Sequence, residues 1–139
     1  MNHAIFIPAL AMVALTFIVL GTMFRRRVAQ MKRDRVHPQA VATSQQAAVL
    51  FTDVAPADNL RHLFEMPVLF YLALVVAAMT AQVTTPVLAL AWAFVAARAL
   101  HSFIHCTYNK VMHRFRAYAL SVFLLLALWC VLGYGLIAG

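Results

Sequence analysis

Four long apolar runs dominate this sequence, and each is about as long as a membrane is thick. They cover residues 4–24, 66–83, 86–104 and 117–138. The hydrocarbon core of a bilayer is ~30 Å thick and needs about 20 apolar residues per helix. Soluble domains are about half apolar and about a quarter charged, whereas this chain is 65% hydrophobic and only 11% charged. The runs therefore indicate helices that cross a membrane.

The predicted fold is an all-α membrane protein, a four-transmembrane-helix bundle that forms one domain over residues 1–139. The first run precedes its basic cluster and shows no small-residue cleavage site, so we expect a helix of the mature protein and not a signal peptide. Pro56 and Asp58 are start signals for the second helix, and Pro67 inside it predicts a kink. The four helices are placed at about residues 3–30, 57–81, 85–109 and 113–137.

Basic residues are concentrated on one side of the predicted bundle. The positive-inside rule makes that side cytoplasmic and places both termini outside. Topology and contact with anionic headgroups account for the net charge of +7, so membrane lipids are expected partners and nucleic acid is not. Ten of the 11 Lys and Arg residues lie on one side, and Arg98, inside the third predicted helix, is the exception. The ten on the basic side are Arg25, Arg26, Arg27, Lys32, Arg33, Arg35, Arg61, Lys110, Arg114 and Arg116.

Polar side chains form a stripe along the third predicted helix. Arg98, His101, His105 and Asn109 fall within about 80° of one another at ~100° per residue. Polar residues on one face of a membrane helix almost always point to the bundle interior or to a cavity. The stripe therefore predicts a polar site at the basic end of the bundle.

The second and fourth helices supply partners for this stripe. Arginines bind carboxylates as a fork, Glu65 can receive an ammonium group, and Asn59 can hydrogen-bond a peptide group. Such a pocket suits a small anionic ligand with several carboxylates and an amine. The candidate binding residues are Asn59, Arg61, His62, Glu65, Arg98, His101, His105 and Tyr118, with Arg114 as the candidate catalytic residue.

Structural alternatives stay open for several of these residues. Arg98 and Glu65 could form a purely structural ion pair, and the histidines could be ordinary buried side chains. His101 and His105 have the HxxxH spacing of a metal-binding helix face, but only His62 and Glu65 could complete the ligand set. We therefore predict no metal site. Cys106 and Cys130 are placed toward opposite membrane faces, so we expect no disulfide between them.

The segment "DNLRHLFEMPVLFY" and the spacing of Arg98, His101, His105, Arg114 and Tyr118 carry a resemblance to a known family. The chain resembles the bacterial branch of the MAPEG family, the membrane-associated proteins in eicosanoid and glutathione metabolism. The resemblance implies a homotrimer that binds glutathione between neighbouring subunits near the cytoplasmic face. It also implies a multi-pass protein of the bacterial inner (plasma) membrane with both termini periplasmic.

The resemblance also assigns roles to individual residues. Arg114 matches the arginine near the glutathione thiol, Asn59 matches the asparagine that contacts the peptide, and His101 matches a glutathione-contacting position. Two positions depart from the family pattern. His62 stands where eukaryotic members commonly carry glutamate, and His105 stands where better-studied members usually carry tyrosine.

Two functions of different classes follow from these residues. The first is a glutathione-dependent transferase or peroxidase that acts on a hydrophobic small-molecule substrate, either an electrophile or a lipid hydroperoxide. Its cofactor is glutathione, whose thiolate the basic pocket stabilises. The alternative is a non-catalytic membrane protein that binds a lipid, a quinone or a protein partner. A third possibility is a different anion or thiol in the same pocket.

Overall fold

A computed structural model describes residues 3–139. Within that range every regular element is helical. Two short 3-10 helices, His3–Ile5 and Pro38–Val41, accompany six α-helices. The α-helices are α1 (Phe6–Asp34), α2 (Ser44–Leu50), α3 (Ala55–Leu63), α4 (Met66–Met79), α5 (Thr85–Cys106) and α6 (Val111–Ala138).

Four of the helical segments are long and apolar enough to cross a membrane, which confirms the predicted fold class. They are His3–Asp34, Ala55–Met79, Thr85–Cys106 and Val111–Ala138. Large apolar side chains such as Phe17, Phe123 and Ile137 are exposed on their outer surfaces. These side chains would be unfavourable in water but match the hydrocarbon of a bilayer. The outer surfaces of the spans therefore suit contact with lipid.

Close packing of small and aromatic side chains holds the spans together. Ala73, Ala77 and Ala91 are fully buried, and such small residues let membrane helices approach closely. Phe70 of α4 stacks on Phe94 of α5 with ring centroids 4.4 Å apart. This packing fixes α4 against α5 on the apolar side of the polar stripe.

The second predicted helix, 57–81, is divided in the structure into α3 and α4. The division lies at Phe64 and Glu65, and Pro67 is the second residue of α4. Proline lacks a backbone N–H and disfavours helical continuation through the preceding turn. The His62 carbonyl beside the break accepts a bond from the Arg98 guanidinium, at 3.2 Å from Nη2. The predicted kink is thus an interruption held by a neighbouring helix.

The third helix ends at Cys106, three residues before the predicted limit. Asn109 adopts a left-handed conformation with φ 48°, which asparagine tolerates better than most residues. Its backbone N–H donates to the Ile104 carbonyl at 2.9 Å, and this bond closes the turn toward α6. Asn109 is therefore not on the helical stripe, although the turn returns its side chain to the same region.

The loop between α1 and α3 is anchored to α1 by one buried amide. Gln30 is 7% exposed. Its Nε2 donates to the Leu50 carbonyl at 2.9 Å, and its Oε1 accepts from the Thr52 N–H at 3.1 Å. Phe51, between those two residues, is buried with the Arg27 guanidinium 5.0 Å from its ring centroid. The amide thus holds the chain that leads into α3.

Replacing Gln30 with alanine should loosen this loop without unfolding the bundle. The Leu50 carbonyl and the Thr52 N–H would lose their partner, at a cost of roughly 1–2 kcal/mol. Chymotrypsin cleavage after Phe51 should become about tenfold faster because local opening becomes easier. The exposed Gln39 of the same loop provides the matched control as Gln39→Ala. Equal cleavage rates in the two variants would contradict the anchoring role.

Candidate functional site

Three histidines and one tyrosine from α3, α5 and α6 meet at the basic end of the bundle. The ring centroids of His62 and His101 are 5.7 Å apart, those of His62 and His105 are 5.8 Å apart, and those of His101 and His105 are 5.6 Å apart. Tyr118 lies 5.6 Å from His62 and 5.7 Å from His101. We call these four residues the aromatic cluster.

A cavity of about 190 Å³ opens beside the aromatic cluster. Small-molecule sites usually measure about 300–1,000 Å³, so one chain offers only part of a typical ligand site. The cavity is lined by His62, His101, Val111, Arg114, Phe115 and Tyr118.

The Arg114 guanidinium is held at this cavity by two contacts. Its Nη1 lies 3.1 Å from His105 Nε2 and 2.9 Å from Asn109 Oδ1. A guanidinium has five N–H donors, so these contacts leave donor capacity for a ligand. His105 is 1% exposed and does not line the cavity. The structure thus places His105 behind Arg114 as a support, and Asn109 shares that task.

Arg98 does not line the cavity. Its side chain is fully buried, with the guanidinium carbon 5.0 Å from the Tyr118 ring centroid and 5.7 Å from that of Phe94. Nη2 donates to the His62 carbonyl, while Nε and Nη1 have no partner within residues 3–139. Arg98 therefore supports both the cluster and the helix break, and its buried charge favours an anion nearby.

Glu65 pairs with His62 and not with Arg98. The Glu65 Oε2 atom lies 3.0 Å from His62 Nδ1, and the side chains are 45% and 33% exposed, respectively. Across the range 3–139, Arg98 has no carboxylate within ion-pair distance. The structural alternative of an Arg98–Glu65 ion pair is therefore wrong for this chain.

Hydrogen-bond partners determine which nitrogen of each imidazole carries the proton. His101 Nδ1 lies 3.2 Å from the Arg114 carbonyl, and a carbonyl can only accept, so that nitrogen is protonated. His105 Nε2 faces a guanidinium donor, so its proton is on Nδ1 in the neutral ring. His62 Nδ1 faces a carboxylate, which leaves Nε2 as the basic nitrogen of a neutral His62.

Asn59 is oriented toward α5 and is fully buried. Its Oδ1 accepts from Ser102 Oγ at 3.2 Å, and its Nδ2 donates to Cys106 Sγ at 3.5 Å. Sequence reasoning missed Ser102 and did not assign Cys106 to the site. The signal was their spacing, because the two lie four residues apart on the helix face next to the polar stripe.

Arg61 is separated from the aromatic cluster. Its side chain is exposed and lines a different groove, together with Arg27 of α1 and Asp58 of α3. The reason is its position on α3: Arg61 directly precedes His62, and adjacent helical residues point about 100° apart. The candidate residues therefore lie at one end of the bundle, but Arg61 lines a different groove from the aromatic cluster.

The charges at the site favour an anionic ligand. Arg98 and Arg114 contribute two guanidiniums, whereas Glu65 is the single carboxylate of the candidate set and is paired with His62. Within residues 3–139, no three His, Cys, Asp or Glu side chains are arranged to hold a metal ion. The arrangement can bind carboxylates, stabilise a thiolate and move a proton.

Comparison with known proteins gives one match. The family model described as the MAPEG family matches residues 5–134, which span all four membrane segments and every candidate residue. Searches of curated proteins and of solved structures returned no match. Because the family match covers nearly the whole sequence, the chain belongs to the MAPEG family.

Proposed function

We propose that this protein is an integral membrane glutathione-dependent transferase or peroxidase. Its substrates are hydrophobic electrophiles or lipid hydroperoxides that arrive from the bilayer. The observation that supports this function best is the Arg114 guanidinium, held by His105 and Asn109 at the wall of a cavity. A guanidinium beside a thiol favours the thiolate, which is the nucleophile. The protein then needs no nucleophile of its own, because it positions and activates one.

The small cavity supports assembly as a homotrimer. A tripeptide is larger than a volume of about 190 Å³ comfortably admits, since drug-sized ligands occupy about 300–1,000 Å³. A neighbouring subunit that closes the open side would complete the site and cover the half-exposed pair of His62 and Glu65. Members of the family generally use glutathione and are typically trimeric, which agrees with this proposal.

The proposed location is the bacterial inner membrane with both termini periplasmic. The basic connections beside Arg26 and Lys110 then lie on the cytoplasmic side. Glutathione is abundant in a reducing cytoplasm, so the cavity opens toward its source. Cys106, at the basic end of the bundle, is a free thiol, which fits a reducing compartment on that side.

Rising concentrations of reduced glutathione should increase the melting temperature of the detergent-purified protein along a saturable curve. A ligand that binds only the folded state stabilises it by RT ln(1 + [L]/Kd), about 2.7 kcal/mol at a hundred times Kd. S-methylglutathione is the control for the thiol, and glycylglycine is the control for peptide binding alone. The absence of a shift at millimolar glutathione would contradict the proposed ligand.

A non-catalytic lipid-binding function is the second candidate, and one groove favours it. The groove lies between α1 and the α3–α4 break, with a volume of about 320 Å³. Its walls are almost entirely apolar, including Phe17, Leu60 and Tyr71. An acyl chain or a quinone tail fits such a surface. Retention of a lipid or quinone after purification, together with no glutathione response, would favour this function.

A further inference from the structure

The pair formed by His62 and Glu65 is the part of the site that the thiolate argument leaves unused. A basic pocket needs neither a histidine at its wall nor a carboxylate directed at that histidine. The two side chains nevertheless lie 3.0 Å apart at the α3–α4 break, and His62 lines the same cavity as Arg114. This juxtaposition resembles the base and orienting carboxylate that activate nucleophiles in other enzymes.

We propose that His62, oriented by Glu65, is the proton acceptor and donor of the glutathione reaction. The inference rests on the proposed function and adds the route of the proton to it. His62 is the catalytic residue because it receives the thiol proton. Glu65 is a positioning residue that acts through His62.

The hydrogen bonds of the cluster single out His62 among the three histidines. His101 Nε2 and His105 Nδ1 are buried without a partner within residues 3–139, and the other nitrogen of each ring contacts Arg114. His62 is 33% exposed, and its Nδ1 faces Glu65, so the basic Nε2 is the nitrogen available to a ligand. An imidazole suits this task because one ring nitrogen can accept a proton while the other is held by the carboxylate.

Other elements control where His62 sits and how it is charged. The Arg98 guanidinium of α5 donates to the His62 backbone carbonyl at 3.2 Å. This bond fixes the backbone from which the His62 side chain extends. The ionisable groups that face His62 are Glu65 at the break, Arg98, His101 and His105 of α5, and Arg114 and Tyr118 of α6. Glu65 is the only one that stabilises an imidazolium, so its carboxylate offsets the neighbouring positive charges.

The proton balance is complete for a hydroperoxide substrate. The S–H bond of glutathione breaks as His62 Nε2 takes the proton, and the thiolate attacks the distal oxygen of the hydroperoxide. The O–O bond breaks, and the imidazolium gives its proton to the departing alkoxide, which becomes an alcohol. The sulfenic acid then condenses with a second glutathione, which forms the disulfide and water. Two thiols are oxidised and one hydroperoxide is reduced.

The test compares His62→Gln with the wild type in cumene hydroperoxide reduction. Glutamine keeps a polar side chain of similar size but cannot accept the proton. We expect kcat near neutral pH to fall about 10²-fold, the lower range for general acid–base catalysis, with the glutathione KM within about twofold. The log of kcat should also rise more steeply with pH in the variant, because thiols titrate near pH 8.5. The matched control is His113→Gln, an exposed histidine beside Tyr108.

A second variant separates positioning from folding. Glu65→Gln removes the charge and lets an amide N–H face Nδ1, which places the proton on Nε2 and blocks the base. We expect a loss in kcat of the same order, with partial rescue in Glu65→Asp. Unchanged kcat and pH profile in both His62→Gln and Glu65→Gln, with glutathione binding intact, would overturn the proposed roles of His62 and Glu65. The proposed function would stand. Absence of glutathione binding in the wild type would overturn the proposed function and the pair together.

Discussion

Arg114→Ala is expected to lower kcat/KM for glutathione conjugation by about 10²–10³-fold, the range for loss of one preorganised donor to a developing anion. The guanidinium stands at the cavity wall, held by His105 and Asn109, so in the proposed reaction its charge would act on the thiol without reorganisation. Removing the guanidinium weakens the stabilisation of the thiolate and eliminates one binding contact for the ligand. The measurement is steady-state turnover with glutathione and chlorodinitrobenzene, together with the glutathione-dependent rise in melting temperature.

Two further variants identify the cause of that loss. Arg116→Ala removes an exposed positive charge from the same turn of α6 and should leave the rate within about twofold, since exposed charges are screened. Arg114→Lys keeps the charge but loses the planar fork, and we expect an intermediate rate. If Arg114→Ala and Arg116→Ala behaved alike, the effect would come from general surface charge and not from the site.

Arg98→Ala is expected to lower the free energy of unfolding by about 2–4 kcal/mol. The substitution empties space beneath Tyr118 and beside Phe94, where the guanidinium lies 5.0 Å and 5.7 Å from the ring centroids. It also removes the donor from the His62 carbonyl at the helix break. Relief of the buried charge offsets part of the cost. Denaturant titration of the detergent-purified protein, followed by tryptophan fluorescence, measures the change.

Arg98→Met distinguishes packing from charge. Methionine fills much of the volume without burying a charge, and such replacements are often neutral for stability. We therefore expect Arg98→Met to unfold close to the wild type but to bind glutathione less tightly, because His62 loses its backbone anchor and the anion loses a nearby charge. Equal destabilisation in both variants would show that the hydrogen bond to His62 outweighs the packing.

The fold was predictable because its main signal is local. Each membrane span can be predicted from its own residues, because they form an apolar run about as long as the bilayer is thick. Pro67 likewise marked the irregularity in the second span before any packing was known. The helix limits at Cys106 and the break at Phe64 were not predictable to the residue, because turns depend on contacts made across helices.

The proximity of several candidate residues was predictable, but their arrangement was not. Spacing on one helix face placed Arg98, His101 and His105 together, and the structure has them around one cluster. Spacing could not show that Arg98 does not line the cavity, that His105 supports Arg114, or that Arg61 lines another groove. Each of those facts depends on the rotation of one helix against another, which a single periodic pattern does not contain.

By itself, then, the sequence determined that this chain forms four membrane spans with a basic end and a polar stripe, because hydropathy and helical period act within each segment. Only the tertiary structure decided that Glu65 faces His62 at 3.0 Å and not Arg98. The physical reason is the break before Pro67. There the Arg98 guanidinium donates to the His62 backbone carbonyl, and the Glu65 carboxylate contacts the His62 side chain three residues earlier.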